Sequence, residues 1–186
     1  MRRTCATLAL ALAACAPPQP QAPAAAAATT RTYAGCTAQS SHDWSAVGSQ
    51  YYVVEAEATG ETCANASATL RIKSRDGLVL FERAYQIADV PLAFNPDNDQ
   101  TGLRADLEAW TQNVAETPTV DTLPAWPAGA ARPPHFQPAV RRGPYEAARG
   151  AQGPLFCYPD GAESNACLAL AGNHATFLGS LTPERE

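Results

Sequence analysis

Tyr51-Tyr52-Val53-Val54-Glu55-Ala56-Glu57-Ala58-Thr59 alternates with a period of two, setting Tyr52, Val54, Ala56 and Ala58 on one face and Glu55 and Glu57 on the other. That is the pattern of a half-buried strand. Ala66–Ser74 repeats it, with Ala68, Leu70 and Ile72 pointing one way and Ser67, Thr69, Arg71 and Lys73 the other. Arg75-Asp76-Gly77 then supplies a hairpin turn, because Gly accepts the positive φ that such a turn needs. Leu78–Ile87 follows as a third strand, with Val79, Phe81, Tyr85 and Ile87 at period two. Paired antiparallel, these strands would bring Glu55 and Glu57 against Arg71 and Lys73 on the wet face, contacts each contributing about 0.2–1 kcal/mol. The expected centre of the fold is this three-stranded meander.

Downstream, Leu103, Leu107, Trp110 and Val114 fall on one helical stripe, so a helix is expected from Gly102 to Val114 with Trp110 anchoring it on the sheet. The polar run Asn95–Gly102 before it places Asp97 and Asp99 as calcium ligands alternate. A calcium loop starting at Asn95 would need Gly at its sixth position and Glu at its twelfth, where Gln100 and Asp106 stand. The run reads instead as a turn capping the helix through Asp99 or Thr101.

From Thr117 to Pro154 prolines recur and no helical or strand period is visible. Trp126, Arg132, His135, Phe136, Arg141, Arg142, Tyr145 and Arg149 gather in this irregular stretch. The simpler reading is a segment draped over the body with its aromatics as pins. The functional reading makes Trp126, Arg132, His135, Arg141, Arg142 and Tyr145 a binding surface for an anionic protein or a glycan, since paired guanidinium groups fork onto carboxylates or phosphates. The chain tightens again in Leu155–Tyr158 and Ala166–Leu170, short apolar runs around a Pro159-Asp160-Gly161 turn, with Gly172-Asn173 before a last strand, Ala175–Leu181. The expected fold class is α+β: a small antiparallel meander packed on one helix, a proline-rich irregular segment, and a disulfide-stapled C-terminal β unit.

Met1-Arg2-Arg3, the apolar run Ala6–Ala14 and the small residues before Cys15 have the order of a secretory signal peptide, too short to span a bilayer. Leu12-Ala13-Ala14-Cys15 resembles the lipobox of bacterial lipoproteins. The resemblance implies cleavage before Cys15, a diacylglyceryl group on its thiol and acylation of the new amine. Several chains together give a durable anchor where one gives a marginal one. Ala16, rather than Asp, follows the cysteine, which by the same resemblance implies the outer membrane, facing the periplasm. Residues 1–14 are then the signal, 15–32 an Ala/Pro/Gln-rich tether, and 33–186 one globular domain.

With Cys5 lost and Cys15 acylated, Cys36, Cys63, Cys157 and Cys167 remain. An even number in an exported chain points to two disulfides with three open connectivities, of which the local pairs Cys36–Cys63 and Cys157–Cys167 are favoured. No C-x-x-C occurs and the three histidines are scattered, so neither a metal nor a cofactor is expected. The chain carries −5, and the signal removes two arginines and no acid, leaving about −7. That balance gives no reason to expect nucleic acid as a partner.

Ser40-Ser41-His42-Asp43 has the residue types of a catalytic triad, but adjacent positions rarely converge as a triad must, and a polar loop is expected there. Glu55 and Glu57, if held by Arg71 and Lys73, stay ionised, the wrong tuning for an acid–base pair. The leading expectation is a non-catalytic lipoprotein that binds another envelope component. Its address, charge and stapled C-terminal strands also resemble membrane-bound lysozyme inhibitors, which implies inhibition of a cell-wall hydrolase as an alternative. A hydrolase using His42 or His135 is the third.

Overall fold

The computed structural model describes residues 35–115 and 118–183. The expected signal peptide, Cys15 and the expected tether, Tyr33, Thr117 and the terminal Glu184-Arg185-Glu186 lie outside the described residues. The body holds two four-stranded antiparallel sheets and two α-helices. It is an α+β fold with a stapled C-terminal β unit.

The first sheet runs in the order β1 (Cys36–Ser45), β2 (Tyr51–Gly60), β3 (Ser67–Ser74), β4 (Val79–Gln86). The meander therefore has four strands, not three, and Ser40–Asp43 lies within β1 rather than in a polar loop. β1 buries Cys36, Ala38 and Trp44, but Ser40 and His42 interrupt the apolar set between them, so its alternation is hard to see in sequence. Glu55 stands opposite Arg71, and the ion pairs run diagonally: Lys73 Nζ reaches Glu55 at 2.5 Å and Arg71 Nη2 reaches Glu57 at 2.8 Å. Arg71 also grips Glu82 on β4. Between the two carboxylates its pKa is held up, while Glu57 is held below the usual carboxylate range by the Arg71 hydrogen bond.

Gly77 turns β3 into β4 at φ 82°. A register shift beside Ile72 then sets Leu80 against the core and leaves Val79 45% exposed, so Val79 is not on the inner face as its spacing implied.

Helix α1 (Gln100–Trp110) begins where Asp99 accepts the Gly102 N–H at 2.9 Å. It ends at Trp110, four residues before the expected limit. Leu103, Leu107 and Trp110 are buried; Val114 is 47% exposed and off the stripe. The would-be calcium run folds on itself instead, the Asp106 carboxylate accepting from the Asn95 N–H at 3.0 Å and the Asn98 amide at 2.9 Å.

The second sheet is ordered β5 (Phe136–Pro138), β8 (His174–Leu181), β7 (Asn165–Ala171), β6 (Leu155–Pro159). Cys157 sits directly opposite Cys167 and is bonded to it; Cys36 is bonded to Cys63. The proline-rich stretch is not featureless. It holds β5 and a second helix, α2 (Arg142–Ala151), which takes Pro144 in its first turn, where no helical N–H bond is lost. Gly143, Pro144 and Gly150 mask that helix in sequence, and only Tyr145 among its residues is buried.

Both faces of the second sheet are covered. Phe156, Tyr158, Leu168 and Leu170 join the first sheet and α1 in the main core. Leu155, Cys157, Cys167 and Leu178 face a smaller core built with Val120, Leu123, Phe136 and Tyr145. Burial on both sides is why Leu155–Tyr158 and Ala166–Leu170 read as continuous apolar runs rather than alternations.

Candidate binding cleft

The six residues expected to form one binding surface are divided by the fold. Trp126, Arg142 and Tyr145 meet in a knot under α2. Tyr145 is fully buried, its hydroxyl donating to the Pro124 carbonyl at 2.7 Å and its ring lying 5.7 Å from that of Trp126. Burial pushes its phenol up to about 12. Arg142 donates to the Trp126 carbonyl at 3.0 Å, and Arg149 donates to the Leu123 carbonyl at 2.9 Å and to Glu146 at 3.2 Å. The Trp126 N–H, at 2.9 Å, and Arg149 together hold Glu146 below the usual carboxylate range. These groups pin the segment to the body. Arg141 is exposed at the residue before α2.

Arg132 and His135 lie elsewhere, on a cleft of about 840 Å³ at the end of the second sheet. Pro133, Pro134 and Phe136 share its lining with Ala162, Glu163 and Ser164 from the β6–β7 turn and Thr182 and Pro183 from beyond β8. Two features fix its walls. The His135 carbonyl accepts the Thr182 N–H at 2.9 Å, with His135 itself at φ 52°, which turns the chain into β5. Across from it, the Asp160 carboxylate accepts the hydroxyls of Ser164 and Ser180, both at 2.7 Å, and so holds the turn to β8. Arg132 donates to Gln137 at 2.8 Å and remains exposed. The lining offers a guanidinium, an imidazole and one carboxylate above proline and phenylalanine walls. Such a mixture suits a polar ligand with an apolar face, a sugar ring or an extended peptide.

Glu163 belongs to this cleft and sequence reasoning passed over it, because its partners come from a segment about thirty residues earlier. Asn113 was also passed over. Its amide closes the free edge of β6, donating to the Leu155 carbonyl at 2.6 Å and accepting the Cys157 N–H at 3.1 Å.

The remaining chemical candidates do not converge. Along β1 the side chains of Ser41 and Asp43 point to the outer face and those of Ser40 and His42 to the inner, as strand alternation requires. Glu55 and Glu57 are taken up by Lys73 and Arg71. Among the described residues no three His, Cys, Asp or Glu side chains gather as a metal site, and no helix is long and apolar enough to cross a membrane. Compared with known protein families, with curated proteins and with solved structures, the chain matches none.

Proposed function

We propose that the chain is an exported lipoprotein, held at the outer membrane through acylated Cys15, whose body binds another envelope component at the Arg132–His135–Glu163 cleft. The pairing of the cysteines carries this reading. Cys36–Cys63 and Cys157–Cys167 use every cysteine downstream of Cys15. Two disulfides suit an oxidising compartment, and the body makes no claim on the lipobox thiol. The cleft supplies the chemistry for a peptide or glycan partner, and its rim is held by the backbone and carboxylate bonds described above.

The test is capture in intact envelopes with a photo-crosslinking residue placed at Ala162. The expected outcome is one enriched envelope protein or glycan, reduced at least tenfold by Arg132→Ala, the size of effect that loss of a charged hydrogen bond produces. Capture no greater than from the same probe at exposed Gln112, or capture indifferent to Arg132→Ala, overturns the assignment.

A further inference from the structure

The sheet edges in the described residues differ in how they are guarded against pairing. The outer edge of β6 is closed by Trp110, Asn113 and Val114, which bond the Pro159 carbonyl at 2.7 Å, the Leu155 and Cys157 groups, and the Cys157 carbonyl at 3.1 Å. β5 is three residues long and ends in Pro138. β4 opens with a bulge and carries Glu82 and Arg83. β1 carries one carboxylate, Asp43, but has no proline, no lysine and no bulge through ten consecutive pairs with β2. Long, regular, unprotected edges are templates for another strand.

The hydrogen-bond phase shows which groups are free. The Ala46 N–H bonds the Gln50 carbonyl at 2.8 Å at the hairpin end, so alternate residues from there, Trp44, His42 and Ser40, turn their main-chain groups to β2. Gln39, Ser41 and Asp43 turn theirs outward, and among the described residues nothing bonds them.

We propose that β1 pairs antiparallel with β1 of a second copy about a two-fold axis at Ser41, joining the two four-stranded sheets into one. Ser41 then meets its own image, Gln39 faces Asp43 of the second copy, and on the inner side Ser40 faces His42. About six main-chain hydrogen bonds form. Every polar side chain along the pairing gains a hydrogen-bonding neighbour, and no like charges are opposed. The charges match as well. Arg104 of α1 borders the same surface hollow as Gln39, so Asp43 of the second copy arrives beside it. Arg104 has no ion-pair partner among the described residues. A two-fold pairing is closed and stops at two copies, which accounts for an edge this long and regular.

The experiment uses the full chain in its own membranes. Under mild oxidation Ser41→Cys is expected to form a covalent dimer, because identical residues at a hydrogen-bonded site sit about 5.5 Å apart, within disulfide reach. Gln39→Cys and Asp43→Cys stay monomeric alone and link when co-expressed. Ser41→Pro removes an outward N–H without touching the β1–β2 ladder, so it abolishes chemical cross-linking of dimers while Cys36–Cys63 stays protected from alkylation. Asp43→Arg and Arg104→Glu each weaken dimerisation about fivefold or more, and the double variant recovers it. No Ser41→Cys dimer, or equal linking by Gln39→Cys alone, overturns the proposal, as does dimer cross-linking undiminished by Ser41→Pro.

Discussion

Asn113 does for β6 what a neighbouring strand would do: its amide oxygen accepts from Cys157 and Ala115 and its amide nitrogen donates to Leu155. Replacing it by alanine strands three main-chain groups at a mostly buried edge. Asn113→Ala is therefore expected to cost about 2–3 kcal/mol, read from denaturant midpoints at unchanged slope. Tyr145 makes a different prediction, about pH. Its phenol is raised by burial from 10.0 to about 12, so the folded state favours the neutral form. The stability it contributes is fully present below pH 10 and is lost as pH rises through about 12. Tyr85 and Tyr158, hydroxyl to hydroxyl at 2.8 Å, are likewise raised by burial and share the same direction. A denaturation series above neutrality should show a plateau to about pH 10 and then a fall. Tyr145→Phe should make that fall shallower while losing about 1 kcal/mol at neutral pH, the worth of its bond to Pro124.

At the scale of elements, the two disulfides differ in exposure. Cys157 and Cys167 are wholly buried between β6 and β7, whereas Cys63 is half-exposed in the turn between β2 and β3. A mild reductant followed by alkylation and mass mapping should open Cys36–Cys63 first and leave Cys157–Cys167 closed until the chain unfolds. Removing the Cys157–Cys167 bridge by paired alanines should cost about 3 kcal/mol from loop closure. In α1, Leu107→Ala should cost about 3 kcal/mol, because the side chain is fully buried under the first sheet. What could be read from sequence follows from how cleanly each element buries one face. β2 and β3 alternate without interruption, and their charges met as expected, displaced to the diagonal by the pleat. β1 escaped notice because an edge strand tolerates Ser40 and His42 on its inner side. α2 escaped because one buried tyrosine was enough to seat it, and its glycines and Pro144 argue against a helix locally. The cleft was half legible: Arg132 and His135 were picked out by type, but Glu163 joins them only through the turn that Asp160 holds.

For the molecule as a whole, the body is a layered structure in which the second sheet is shared between two cores. The N-terminal meander and α1 cover one face, and residues 118–151 cover the other. This explains why the proline-rich stretch carries so many internal bonds. Arg142, Arg149 and Trp126 hold it down, Arg141 stays exposed, and Arg132 and His135 line the cleft with Glu163. The proposed role depends on the chain being anchored at a membrane through Cys15, and that can be measured directly. Intact-mass and peptide mass spectrometry of the chain extracted from envelopes should find an N-terminus at Cys15 bearing diacylglycerol and an amide-linked acyl chain, with both body disulfides closed; Cys15→Ser should release the protein from the membrane fraction. A chain whose Cys15 is unmodified, or one that stays in the membrane fraction after Cys15→Ser, would contradict the account.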